Sequence, residues 1–116
     1  MPEAPKRNNV DWELALGFKN SWQRFKTDAI REAMTTFDRC KRSTPPEPLP
    51  AKMNDHKLDG PFKGFMECHF DNDVLLIYKP IANGGIKLFR ICTHADLKGP
   101  KGKVLAKQLK KESSSS

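Results

Sequence analysis

Residues 65–94 contain three strand-length runs separated by two short turn signals, and few folds accommodate that pattern. Phe65–Phe70 alternates, with Phe65, Glu67 and His69 on one face and Met66, Cys68 and Phe70 on the other. Asp71-Asn72-Asp73 is turn chemistry. Val74-Leu75-Leu76-Ile77-Tyr78 is apolar on both faces, as expected of a central strand covered by a helix. Ala82-Asn83-Gly84-Gly85 supplies the second turn, its glycines free to take φ > 0, and Ile86–Thr93 is the third run. Connections this short reverse the chain, so an antiparallel meander is expected. No Walker or dinucleotide pattern surrounds the glycine pair, which reads as a hairpin and not a phosphate loop.

The cover for that sheet is expected upstream. Val10, Trp12, Leu14, Leu16 and Phe18 alternate with Asp11, Glu13, Ala15 and Gly17, which predicts a strand in preference to a helix starting at Asp11. Asn20, with Gln23 three residues on, is placed to cap a following helix. Trp22, Phe25, Ala29, Ala33, Phe37 and Cys40 then recur at spacings of three or four, giving one apolar stripe to about Arg42. Four prolines within Ser43–Pro50 rule out helix there and predict a stiff extended connector. The divisions expected are a disordered lead at 1–9, a domain at 10–99 and a basic extension at 100–116. Within that extension, Val104, Leu105 and Leu109 allow either a short terminal helix or a loose tail.

A chain of 116 residues holds a single modest core. No apolar run approaches the roughly 20 residues of a membrane span, and Met1–Lys6 lacks a signal-peptide core, so a cytoplasmic protein is expected. Three cysteines, Cys40, Cys68 and Cys92, suit reduced thiols better than a disulfide framework. The net charge of +7 is uneven: six lysines against Glu112 place +5 of it after residue 97. That balance favours a polyanionic partner, nucleic acid before a membrane surface.

His56, His69 and His94 are the three histidines, on three separate segments. The antiparallel pairing expected above can bring His69 and His94 to one rim, with Asp73 beside them and Arg90 at the same parity as His94. Imidazoles can take the proton of an RNA 2′-hydroxyl and protonate the 5′-leaving oxygen, while a guanidinium holds the scissile phosphate. A zinc site using Cys68 or Cys92 is the competing reading. No C-x-x-C pair or H-x-x-x-H spacing supports it, and Cys68 falls on the inward face.

Five ordered blocks span about residues 49–99: Asp55-His56-Lys57-Leu58-x-Gly60, Lys63-Gly64, Cys68-His69-x-x-x-Asp73, Leu75-Leu76-Ile77-Tyr78-Lys79 and Arg90-x-x-Thr93-His94-x-x-Leu97. Together they resemble the YafQ branch of the RelE/ParE bacterial toxins. The resemblance implies an α+β fold of the microbial RNase (RelE-like) type. A twisted antiparallel β-sheet would pack on one or two N-terminal helices, usually two, against the one long helix read above. It implies a toxin of a type II toxin–antitoxin system that cuts mRNA in the A site of the 70S ribosome and is held inactive by a cognate antitoxin. The cleavage would need no metal or other cofactor and would leave a 2′,3′-cyclic phosphate. His56, His69, Asp73 and His94 fall on the catalytic positions, with Arg90, Lys63 and Lys98 as phosphate contacts. Val74 and Lys98 stand where family members often carry aromatics, and the second of those aromatics helps to hold a base. Two other classes remain open on sequence: a non-catalytic protein on this scaffold, gyrase-poisoning or decayed, and a nucleic-acid binder whose histidines are incidental.

Overall fold

The computed structural model describes residues 6–114. Two short strands, β1 (Lys6–Arg7) and β2 (Glu13–Leu14), precede helices α1 (Leu16–Phe25) and α2 (Asp28–Arg42). Next come β3 (Ser43–Thr44), β4 (His56–Lys57), β5 (Met66–Asp71), β6 (Val74–Pro80), β7 (Ile86–Thr93) and a terminal helix α3 (Gly99–Ser114). The main sheet has the order β2-β7-β6-β5-β4. Its three long strands form the expected antiparallel meander, with Leu75 opposite Cys92 and Cys68 opposite Leu76. Only β2 runs parallel to its neighbour, Glu13 facing Lys87.

The strand expected over 10–18 is a correction. Only Glu13 and Leu14 pair with the sheet, and helix begins at Leu16. The alternation misled because its apolar members Leu14 and Leu16 face solvent, whereas Ala15 and Phe18, three apart, are the buried pair. Gly17 does not stop the helix: a Cβ there would lie 1.5 Å from the Arg90 guanidinium, so the glycine admits that side chain. The expected cap Asn20 lies inside α1. The single long helix is two, broken where Lys26 turns extended and Thr27 caps α2 by accepting from the Ile30 N–H. Thr27-Asp28 was the readable signal, a capping residue followed by an acid in the first turn.

The proline segment is non-helical, as expected, and leads into a short 3₁₀ turn at Ala51–Met53. Residues 1–5 of the expected lead lie outside the described residues, but β1 pairs with β3, Lys6 opposite Thr44. Arg42 fastens residues 8–12 to α2: its guanidinium donates to the Asn8 and Val10 carbonyls, pairs with Asp38 at 2.7 Å and lies over the Trp12 ring.

Both faces of the meander are covered, each by a different part of the chain. On one, Phe18, Ile30, Phe37, Cys68, Phe70, Leu76, Tyr78 and Ile91 form a core beneath α1 and α2. On the other, Phe62, Phe65, Ile77, Phe89 and Cys92 pack with Ala106 and Leu109 of α3. Of the two forms open to the C-terminal segment, the helix is observed, with five exposed lysines. Among the described residues no helix is long and apolar enough to cross a membrane.

Candidate functional site

His69 lies near the end of β5, on the same face as Glu67 and opposite to Cys68. His94 opens a 3₁₀ turn (His94–Leu97) directly after β7, held by a capping box in which the Asp96 carboxylate accepts from the Thr93 N–H and hydroxyl. Cross-strand pairing of β5 with β6 and of β6 with β7 then brings His69 and His94 together. Their rings meet edge to face at 5.1 Å between centroids. Asp73, in the turn before β6, accepts from His94 Nδ1 at 2.7 Å and from the His94 N–H at 3.2 Å. Those His94 hydrogen bonds, the side-chain one first, hold the exposed Asp73 carboxyl below its ordinary value. The bond also fixes the ring: with Nδ1–H donated to Asp73, the Nε2 lone pair of His94 is free to accept a proton.

His56 joins through a residue that the sequence pattern did not single out. In the register of β4 with β5, His56 stands opposite Glu67, and its Nε2 lies 3.0 Å from Glu67 Oε2. Its Nδ1 sits 2.6 Å from the Asn54 carbonyl. Both ring nitrogens of His56 therefore face oxygen atoms, which fixes the orientation of the ring. Glu67 is only 5% exposed and its Oε1 has no hydrogen-bond partner, an uncommon state for a buried carboxylate. The alternation already placed Glu67 on the His69 face, and that was the usable signal. Ligand atoms of Glu67, His69 and His94 all lie within 4.8 Å of one another, a donor set that a transition metal could occupy.

The remaining candidates are not part of this cluster. Arg90 Nη1 donates to both oxygens of Glu112 in α3, at 2.7 and 3.0 Å, and to the Phe89 carbonyl, so its donors are engaged inside the fold. A bulge at Phe89, where β7 carries an extra residue against Ile77 and Tyr78, directly precedes it. Lys98 is exposed just past the His94 turn, close enough for its charge to help lower Asp73. Lys63 is exposed after a 3₁₀ turn at Gly60–Phe62. Cys68 is fully buried beneath the helices, and burial pushes its thiol up. Burial raises the Cys92 thiol to about 12. Neither is a ready thiolate ligand, and all three cysteines are free.

The family model describing the bacterial toxin of type II toxin–antitoxin systems, YafQ, matches residues 11–99. The chain belongs to the YafQ toxin family. Among curated YafQ proteins, the mRNA interferase toxin YafQ of Escherichia coli is 42% identical over 52 residues, 45% of this chain and 55% of that protein. The match thus spans about half the length of that curated relative. Solved structures extend the YafQ likeness over the whole domain. The E. coli DinJ–YafQ toxin–antitoxin complex superposes with a TM-score of 0.58 at 30% identity, over 77% of this chain and 97% of that one. A copper-bound mutant toxin from Helicobacter pylori does so with a TM-score of 0.59 at 26% identity, over 77% and 99%. The YafQ family match ends at Gly99, the first residue of α3.

Proposed function

We propose that this chain is the toxin of a type II toxin–antitoxin pair and an endoribonuclease that cuts mRNA on the ribosome without a metal. The observation that carries this reading is the acid–base cluster itself: His94 oriented by Asp73 with Nε2 free, against His69, with His56 on Glu67 beside them. His94 takes the proton of the mRNA 2′-hydroxyl, and that oxygen attacks the adjacent phosphorus. His56, positioned between Glu67 and the Asn54 carbonyl, delivers a proton to the 5′-oxygen as the P–O5′ bond breaks. The products are a 2′,3′-cyclic phosphate and a 5′-hydroxyl. His69 packs against His94 and limits its ring orientations, while Lys98 and Lys63 are placed to meet phosphates. Lys98, where relatives often carry an aromatic, reads charge rather than stacking on a base, so nucleotide preference is expected to be relaxed. The partner is an antitoxin protein, by likeness to the DinJ–YafQ assembly.

The test is expression in bacteria of wild type beside His94→Ala, with growth and mRNA 5′-end mapping. Losing one positioned acid–base group lowers the cutting rate by about 10² to 10⁴. Ribosome-phased cuts that disappear in the variant support the mechanism, and cuts that persist refute it. Growth arrest without cuts in either protein would favour the non-catalytic reading. A second role for the same groups rests on the uncompensated Glu67 oxygen: Glu67, His69 and His94 bind a transition metal such as copper, which would withdraw the two imidazoles from proton transfer.

A further inference from the structure

Glu67 and His69 project on the sheet face that α3 covers, and α3 lies beyond the residues matched to the family. Its hold on that face is shallow. Ala106 and Leu109 are the fully buried apolar side chains of the helix, whereas Val104 is 57% exposed. Gly102 lets the first turn approach closely, since a Cβ there would lie 2.3 Å from the Leu97 carbonyl oxygen. The last turn is a polar clasp. The Glu112 carboxylate takes Arg90, its carbonyl accepts from Lys87 Nζ at 2.6 Å, and Ser113 Oγ accepts from Lys79 Nζ at 3.1 Å. Beside the clasp, α1 and α3 flank an open cleft of about 670 Å³ whose lining includes Gly17, Ser21, Arg24, Arg90 and Lys101.

A carboxylate and a phosphate compete for the same guanidinium fork. We propose that α3 is an autoinhibitory cap: Glu112 occupies Arg90 in the place of a nucleic-acid phosphate, and binding of RNA displaces the clasp and frees the arginine. The charge of the cap favours the exchange, because Lys101, Lys103, Lys107, Lys110 and Lys111 are all exposed and draw a polyanion to the helix that has to move. Gly17 belongs to the device, since it leaves the space through which Arg90 reaches Glu112. This inference rests on the reading of the chain as an RNA-directed toxin, and its test separates the two.

Full-length wild type, Glu112→Gln, Arg90→Met and the double variant are titrated with a 2′-O-methyl RNA oligonucleotide, which cannot be cleaved, over a salt series. Hydrogen exchange is followed in parallel. Gln keeps the size and helix propensity of Glu, and Met keeps most of the arginine stem. Glu112→Gln is expected to tighten binding about fivefold at low salt and to change nothing in the Arg90→Met background. RNA should also lower exchange protection in residues 102–114 while leaving β6 unchanged. Equal or weaker binding by Glu112→Gln overturns the cap, as does a gain that persists without Arg90, which marks only the loss of a negative charge. If wild type cuts mRNA and Glu112→Gln is indifferent, the cap alone fails. If no variant cuts mRNA but Glu112→Gln tightens binding through Arg90, the cap stands and the nuclease reading fails.

Discussion

Removing the Tyr78 hydroxyl isolates one buried polar link between the core and the site. The Tyr78 ring is fully buried, edge-on to Phe37 at 4.9 Å, and its hydroxyl donates to Asp55 Oδ1. The other Asp55 oxygen accepts from Lys41 Nζ at 2.8 Å, with both of those side chains 20% exposed. Tyr78→Phe keeps the ring and opens no cavity of consequence, so the cost is the hydrogen bond to a charged acceptor, about 1.5–3 kcal/mol. Asp55 retains Lys41 and partial solvent, which spares it the full desolvation penalty and places the cost near 2 kcal/mol. For a domain of this size that lowers Tm by about 8 °C. Urea unfolding should show a reduced midpoint with an unchanged m-value. Because Asp55 directly precedes His56, the variant also loosens β4 and should slow cleavage, though by far less than His94→Ala. A stability loss below about 0.5 kcal/mol would refute the reasoning, since the hydroxyl would then be trading evenly with water.

Acid stability should reflect Asp96 and Asp73. The Thr93 N–H holds the Asp96 carboxyl low, and the His94 hydrogen bonds do the same for Asp73. A depressed folded-state value gives stability that is present above the unfolded pKa, about 3.9, and is lost as pH falls through the folded one. Asp96→Asn should therefore flatten the stability–pH curve below about pH 4 and, as a lost cap partner, cost about 1 kcal/mol at neutrality. At the alkaline end, burial keeps Cys92 protonated up to about 12. Stability should then fall as pH rises above about 8.5, where unfolded thiols ionise. A thiol-reactive dye should label folded protein slowly and urea-unfolded protein fast, and rapid labelling at pH 8 would contradict the buried placement of the cysteines. Copper(II) added to purified toxin should inhibit cleavage and be reversed by chelator, and Glu67→Gln should weaken that inhibition. Chelator added with enough Mg²⁺ to keep the ribosomes intact should leave the rate unchanged, and a rate lost while the ribosomes stay intact would refute metal-free chemistry.

The meander, the proline connector and the face carrying Glu67 and His69 were legible because they rest on local rules. A period of two sorts side chains to opposite faces, turn residues reverse the chain, and proline forbids helix. The break between α1 and α2 was equally local, written in Thr27-Asp28, but the apolar stripe continues across it and masked it. The N-terminal strand failed for a different reason. Alternation states which residues share a side, and only packing states which side is buried; Leu14 and Leu16 proved to be outside.

The sequence by itself determined that His69, His94 and Asp73 sit on segments that antiparallel pairing can join, and that the end of the chain is basic. Tertiary structure alone decided that Glu67 links His56 to the other two, because that contact depends on the register of β4 against β5. It also decided the direction of Arg90. Parity puts that residue on the histidine face, which α3 also covers, but a glycine in α1 and a carboxylate 22 residues downstream hold its guanidinium at α3 and away from the cluster. The physical reason is common to both. Periodicity fixes the face on which a side chain emerges, whereas its partner is set by the elements packed across that face, which are remote in sequence.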